Sequence, residues 1–366
     1  MLFFESADCQ TRAIVFNDRF FSPEGKAVRV QEIVGDWGLE HVKRGERPEP
    51  EIRRGEVVLR MLASSLNFRD LVVLDRGYGA RTGTLPLIPL SDGVGEVVAV
   101  GDEVDRVKIG DRVCPTFFRN WIGGEPDASR LAGSLGGPID GTMCEYMRVP
   151  QDAVVHAPSA LDDEQAASLP CAALTAWSAL AGLGTTRAGE HVLVQGSGGV
   201  SLFALQFALL LGARVTVISS SDEKIERLRA MGAHAAVNYR RTPEWAKAAQ
   251  QLTDGRGFDH IVEVGGEKTL PQSLRCIRPG GTISMIGVLS GAAITGSIGH
   301  VVTRAVRLQG ITVGHRDAFE AMCRAIDQHR IEPVIDRVFA FDELVDAYRY
   351  LRSARHFGKV CISHRS

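Results

Sequence analysis

The sequence contains no C-x-x-C pair, although it has seven cysteines. Cys9, Cys114, Cys144, Cys171, Cys276, Cys323 and Cys361 are odd in number and widely spaced, which speaks against both a disulfide framework and a cysteine-cluster zinc site. The thiols read as reduced and intracellular, so a cytoplasmic protein is expected. No apolar run reaches the ~18 residues that a transmembrane helix needs. The N-terminus, MLFFESADCQ, lacks a basic stretch before its apolar residues and turns acidic at Glu5, unlike a signal peptide. Neither sign of charge dominates: 42 Lys and Arg stand against 44 Asp and Glu, for a formal net charge of −2. That balance argues against nucleic acid or an anionic membrane as the main partner, since both attract a basic surface. Internal repeats and low-complexity tracts are also missing.

What is present is an ordinary globular composition, 45% apolar and 23% charged, over 366 residues. That length suggests two domains and is ample for a sizeable core. The chain changes character twice. Residues 11 to about 155 read as short strands broken by Gly and Pro: AVRVQEIV, EVVLRMLAS, GVGEVVAVG, DRVCPTF and CEYMRVP. This pattern predicts a β-rich, barrel-like domain. A Gly-rich stretch over 117–141 interrupts it, and a loop that long is usually functional or disordered. From about 160 to 315 apolar strands alternate with helices six times, as in HVLVQG, RVTVIS, AAVNY, FDHIVEVGG, GTISMIGV and RLQGITVG. Strands buried on both faces, joined by helices, predict a doubly wound parallel sheet. The tail mixes helices and strands and is expected to return to the first domain.

Between the first strand and helix of that second region lies QGSGGVS. Gly196 permits a tight turn, and Gly198 lets the backbone approach a pyrophosphate. Gly199 and Val200 open a helix whose free N–H groups and positive dipole end suit an anion, with Ser197 inside the cradle. Ser201 occupies the third fingerprint position, where Gly or Ala is usual; it is small enough for close packing at some loss of fit. The second strand ends in Ser219, Ser220 and Ser221 rather than in the acid that would hold a ribose 2′-hydroxyl. Hydroxyls there, Lys224 in the following helix and Tyr239 at the end of the third strand favour NADP(H). The alternative is that Asp222 is the ribose acid and Lys224 a solvated helix lysine; Asp222 lies past the strand end and suits a helix N-terminus better.

These features, with LPCAALTAWSAL, VNY, RPGGTISMIG and HFGKVCI, resemble the medium-chain dehydrogenase/reductase superfamily over about residues 11–363, within its alcohol-dehydrogenase-like and quinone-oxidoreductase-like branch. The resemblance implies a GroES-like β-barrel catalytic domain (1–157 and 316–366) plus a Rossmann domain (158–315) with a doubly wound parallel six-stranded sheet. The Cys, His and Cys that bind catalytic zinc in the family fall here on Asn67, on Leu90-Ser91-Asp92 and on Cys171; only the thiol of Cys171 remains. The lobe with four structural cysteines has only Cys114 and Cys144. No metal is therefore expected.

The run from Asn67 to Tyr78 is similar to the Asn…Tyr pattern of zinc-independent quinone and enoyl thioester reductases. Hydride arrival leaves negative charge on the substrate, which must be stabilised and protonated. The resemblance makes Tyr78 the proton donor and places Asn67 by the nicotinamide ribose, orienting the reactants; alternatively Tyr78 only lines the pocket. Arg69 and Asp70 read as structural, with Arg69 pairing Asp70 or Asp92 in the space that zinc would fill. His156, His260 and His300 show no partner pattern and read as structural or surface residues. The family further implies that Thr175 lies in a segment opening toward the phosphates and nicotinamide. Ile286, Gly287 and Leu289 would lie near the nicotinamide, Val264 and Gly265 under the adenosine–ribose side, Val313 at the carboxamide, and Lys359 close to the cofactor.

The expected activity is zinc-independent, NADP(H)-dependent hydride transfer to an activated C=C or C=O, in a small-molecule quinone, enone or aldehyde, or from the matching alcohol. An enoyl thioester reductase is the nearest alternative, and a non-enzymatic NADPH-binding sensor or crystallin-like protein the other. A homodimer is expected, because the last Rossmann strand would form a sheet edge needing cover.

Overall fold

The structure is a computed structural model that describes residues 27–183, 185–294 and 296–365. Cys9 and the N-terminal residues read above lie outside this range. Six parallel strands form one sheet in the order Ala235–Asn238, Arg214–Ser219, His191–Gln195, Phe258–Glu263, Ile277–Met285 and Arg307–Gly310. In chain order this is 3-2-1-4-5-6, so the direction of winding reverses between His191–Gln195 and Phe258–Glu263. A ligand crevice is expected at the carboxyl ends of the strands at such a reversal.

The sheet forms where sequence analysis places it because its inner strands are apolar on both faces. Val192, Leu193, Val194, Val215, Val217, Ile261, Val262 and Ile283 are all buried. The helix Gly199–Leu210 packs Leu202, Phe203, Leu205 and Phe207 into the same core, each worth roughly 1.5–3 kcal/mol of burial. Gly212, with φ of +79°, follows that helix and turns the chain into the next strand.

The second sheet has seven strands. Its path runs Ile335–Ala340, Lys359–Ser363, Glu56–Leu66, Asp92–Val100, Arg112–Pro115 and Val154–His156, with Tyr146–Pro150 also paired to Glu56–Leu66. The tail thus returns to the first sheet: Lys359–Ser363 lies antiparallel to Glu56–Leu66, with Val360 opposite Leu66. Two elements differ from the expectation. Val42–Pro48 is a strand paired with Ala27–Ile33, although its sequence VKRGERP has no apolar alternation. Cross-strand pairing of Arg47 with Glu32 at 2.6 Å helps hold it. Phe68–Leu74, within the stretch read as turn-rich, is a helix. Among the described residues, no helix is long and apolar enough to cross a membrane.

Candidate active site

The crevice begins at Gly196, whose φ of +79° is left-handed and favours glycine. Gly198 has ordinary backbone angles, but a Cβ built on it would meet nothing within 4 Å. Its backbone therefore borders open space where the helix Gly199–Leu210 starts. The first-turn N–H groups there lack intrahelical acceptors and sit at the positive end of the dipole, an arrangement that suits an anion. Ser201 is not a looser substitute for glycine. Its buried hydroxyl donates to the Gln195 carbonyl at 2.6 Å and ties helix to strand.

On the other side of the reversal, Glu263 ends its strand as a buried carboxylate. Its Oε1 accepts from the Gly265 N–H (2.9 Å), the Gly266 N–H (3.0 Å) and Thr269 Oγ1 (2.5 Å). Its Oε2 accepts from Gln195 Nε2 (2.6 Å) and Ser273 Oγ (2.5 Å). Five donors on one carboxylate fix the ends of two neighbouring strands. The Glu263 carbonyl also accepts from the N–H groups of Ile286 (2.9 Å) and Gly287 (3.3 Å). A Cβ on Gly287 would lie 2.2 Å from the Val264 carbonyl oxygen. Val264, Gly265, Ile286 and Gly287 are thus brought together, while Leu289 lies exposed beyond them. Val313 is buried with φ of +56°, an unusual value for a β-branched residue. Thr175 is buried within the helix Leu174–Trp177.

At the second strand end, the Ser219 carbonyl accepts from the Tyr239 N–H at 3.0 Å, so these two predicted residues adjoin. Ser220 beside them is half-buried, and Ser221 caps the helix Asp222–Ala230. Lys224 does not simply face the crevice. Its Nζ donates to the carbonyls of Ala354 (3.4 Å) and His356 (2.8 Å), which leaves one N–H free, and partial burial lowers its pKa. Asp222 accepts from Asn238 Nδ2 at 2.7 Å and pairs with Arg241. Sequence reasoning passed over Arg240 and Arg241, the basic pair that follows Tyr239.

The C-terminal segment enters the crevice directly. Gly358 pairs with Gly198 in an isolated bridge, and its N–H donates to the Ser197 carbonyl at 2.9 Å. Lys359 then reaches the positions that correspond to zinc ligands. Its buried ammonium donates to the Leu66 carbonyl (2.7 Å) and to Asn67 Oδ1 (2.5 Å), and stands 4.0 Å from Asp92 Oδ2. Asp92 is fully buried and accepts from Ser91 Oγ (2.7 Å) and the Cys171 N–H (3.0 Å); burial raises its pKa against the pull of Lys359. Burial and the Asp92 charge push the Cys171 thiol up, so it stays protonated. The cation beside Asp92 is therefore Lys359; of the two partners expected for Arg69, Asp70 is found and Asp92 is not. Arg69 instead donates to the carbonyls of Leu135 (2.9 Å) and Gly137 (3.0 Å), lies 3.6 Å from Asp70 and stacks on Phe117 at 4.7 Å.

Tyr78 follows the helix Phe68–Leu74 and is 40% exposed, at the mouth of this cluster. Partial burial raises its phenol pKa, opposed by the Arg69 guanidinium, with the Asp70 carboxylate adding to the rise. The 117–141 segment is folded rather than loose. Phe117, Phe118 and Trp121 are buried, and Trp121 Nε1 donates to the Gly124 carbonyl at 2.9 Å. The N–H groups of Arg316 and Asp317 bond to the carbonyls of Trp121 and Ile122, each at 3.0 Å. His260 is a core residue between Thr186 Oγ1 (3.0 Å) and Ser284 Oγ (2.8 Å), with its pKa lowered to about 4 by burial.

Residues 53–159 match the family model described as the alcohol dehydrogenase GroES-like domain, and residues 199–328 that of zinc-binding dehydrogenase. A zinc-type alcohol dehydrogenase-like protein of Schizosaccharomyces pombe is 44% identical over 332 residues, 89% of this chain and 96% of that protein. A crystal structure from Sinorhizobium meliloti 1021, provisionally named an alcohol dehydrogenase, superposes with a TM-score of 0.87 at 42% identity, covering 92% of this chain and 99% of that one. The crystal structure of an NAD-dependent alcohol dehydrogenase gives 0.84 at 30% identity, covering 92% and 100%. Both sheets, the glycine cradle at the winding reversal and these matches together show that the chain belongs to the medium-chain dehydrogenase/reductase superfamily, as an alcohol dehydrogenase-like oxidoreductase with a GroES-like domain.

Proposed function

We propose that this chain is an NADP(H)-dependent oxidoreductase that works without zinc and delivers hydride to an activated C=C or C=O of a small molecule. The observation that carries this reading is the Lys359 ammonium, bonded to Asn67 and 4.0 Å from Asp92. A dication placed among Asn67, Asp92 and Cys171 would meet that ammonium's charge, and the set lacks the His and the second Cys with which the family binds catalytic zinc. Among the described residues, no group of three or more His, Cys, Asp or Glu is suited to hold a metal ion.

The residues present fit a dinucleotide. Gly196 to Val200 would hold its pyrophosphate, and Val264, Gly265, Ile286, Gly287, Val313 and Thr175 would line its sugars and nicotinamide. Ser219, Ser220, Tyr239 and the free N–H of Lys224 would meet a 2′-phosphate. The Asp222 carboxylate is already engaged by Asn238 and Arg241, which supports NADP(H) over NAD(H). The bound cofactor supplies hydride. As hydride adds to the substrate carbon, the π pair moves to oxygen, directly or through the conjugated C=C. Tyr78 then gives its phenolic proton to the anion, and solvent restores it at the exposed mouth.

A homodimer through the Arg307–Gly310 edge is part of this reading. The neighbouring helix Ile298–Thr303 shows Ile298 and Val302 78% and 71% exposed, an apolar face that a twofold mate would cover. The six cysteines among the described residues are free thiols, which suits a reducing cytoplasm.

The test is a titration with NADPH and NADH, with zinc measured on the same sample. NADPH binding at least about ten-fold tighter, without stoichiometric zinc, is expected; a preference for NADH or one zinc per chain would overturn the reading. Tyr78→Phe should then lower turnover of enones at least about ten-fold, within the range of general acid catalysis. Unchanged turnover would remove Tyr78 as the donor.

A further inference from the structure

Both oxygens of the Asp222 carboxylate are taken. Asn238 ends the third strand opposite Ser219 of the second, and the Tyr239 N–H bonds the Ser219 carbonyl. Asp222 opens the helix that follows Ser219–Ser221 and bonds Asn238, so the acid lies at the carboxyl ends of both strands. Asn238 Oδ1 accepts the N–H groups of Arg240 (3.0 Å) and Arg241 (3.4 Å). This orients the amide: Nδ2 must face Asp222, and it donates to Oδ1 at 2.7 Å. The Asn238 carbonyl accepts the Thr242 N–H at 2.9 Å and the Arg241 N–H at 3.2 Å, so one residue holds the turn by side chain and backbone alike. That turn carries the Arg241 guanidinium onto Asp222 Oδ2. The two side chains are 74% and 48% exposed, and an ion pair so open to water adds little to stability. What it changes is local charge: an acid at the end of the cofactor crevice is held and neutralised.

We propose that Asn238 and Arg241 form a latch that masks Asp222 and thereby sets the coenzyme preference. A free carboxylate here would accept from ribose hydroxyls, as acids near this strand end do in NAD sites, and would repel a 2′-phosphate. Held on both oxygens, it does neither, and the hydroxyls of Ser219, Ser220 and Tyr239 are left to the phosphate. Preference then depends on what covers the acid, not only on the serines that replace one at the strand end. Asn238 and Arg241 are positioning residues that act through Asp222. The latch rests on the NADP(H) reading and names the residues that enforce it.

The experiment titrates NADPH and NADH by fluorescence, at low ionic strength, into full-length wild type, Arg241→Ala, Asp222→Asn and the double variant. Because the pair is exposed, Tm should stay within about 1 °C throughout. Arg241→Ala uncovers one carboxylate oxygen. NADPH should then bind at least about ten-fold more weakly, the scale of a bare charge against a dianion in water, while NADH binds no worse. Adding Asp222→Asn should return NADPH to within about three-fold of wild type, a coupling that the double-mutant cycle isolates. Neither a merely structural pair nor an Arg241 that touches the phosphate itself would give that rescue. Unchanged NADPH affinity in Arg241→Ala, an equal loss for both cofactors, or no rescue overturns the proposal. So does NADH weakened by Asp222→Asn alone, since the carboxylate would then already hold the ribose. A wild type that prefers NADH counts instead against the NADP(H) reading, and the latch is judged by whether Arg241→Ala still lowers the ratio of NADPH to NADH affinity. A wild type that binds neither overturns both.

Discussion

Asp70 offers a sharp test of the site's electrostatics. Its carboxylate is buried, with Oδ2 accepting the Asn67 N–H at 2.7 Å and Oδ1 without a hydrogen bond, 3.6 Å from Arg69. Tyr348, fully buried with an unpartnered hydroxyl, is a neighbour, and Asp92 and Lys359 are the other charged groups that act on it. Burial raises the Asp70 pKa from 3.8 to about 6, opposed by Arg69 and the Asn67 N–H. The folded state therefore binds more protons than the unfolded state between pH 4 and 6, and stability falls as pH rises through that window. A shift of about two units corresponds to about 3 kcal/mol, absent below pH 4 and complete by pH 7. With unfolding entropy of about 2.1 cal/mol/K per residue, 366 residues move by about 1.3 °C per kcal/mol, so about 4 °C. Asp70→Asn removes the titration and keeps an acceptor for the Asn67 N–H. Its Tm relative to wild type should rise by about 4 °C between pH 4 and pH 7, measured by calorimetry in matched buffers. A flat difference would refute the burial argument. A falling one would mean that Arg69 stabilises the anion more than burial penalises it.

Glu263→Gln replaces an all-acceptor group with one whose amide must face donors, leaving at least one of the five unpaired. A loss of about 2 kcal/mol or more, read as a Tm drop of about 3 °C at pH 7, is expected, and an unchanged Tm would refute the network. Gly287→Ala puts a methyl 2.2 Å from the Val264 carbonyl and must part the strand ends. NADPH affinity should weaken at least about ten-fold by fluorescence titration, whereas unchanged affinity would separate this contact from the cofactor crevice.

The six-stranded parallel sheet was legible because its inner strands are apolar on both faces and punctuated by glycine, a pattern carried by local sequence alone. The glycine cradle was legible for the same reason. Val42–Pro48 escaped because a charged strand held by a cross-strand ion pair carries no period-two signal. The helix Phe68–Leu74 escaped because it is only two turns long and opens with polar residues. Arg69 was expected beside Asp70 or Asp92, and Lys359 only near the cofactor, because both are cations within reach by analogy. Which one faces Asp92 depends on antiparallel pairing of Lys359–Ser363 with Glu56–Leu66, a contact nearly 300 positions apart that no local pattern encodes. Lys224 shows the same limit: it lies at the start of a helix as read, but the carbonyls of Ala354 and His356 that take two of its donors come from the far end of the chain.

The run 354–359 touches one side of the crevice at successive points. Ala354 and His356 hold Lys224 beside the second strand end, the Arg227 guanidinium sits 3.7 Å over the Phe357 ring, Gly358 clasps Ser197 in the glycine cradle, and Lys359 grips Asn67. Six residues reach at most about 20 Å and cannot stretch further. The segment is thus a tether fastened to both sheets, and its covalent length caps how far the second strand end, the glycine turn and Asn67 can move apart. Under the proposed reading that cap would limit how far the two ends of a bound dinucleotide's crevice can part, whatever the size of the acceptor.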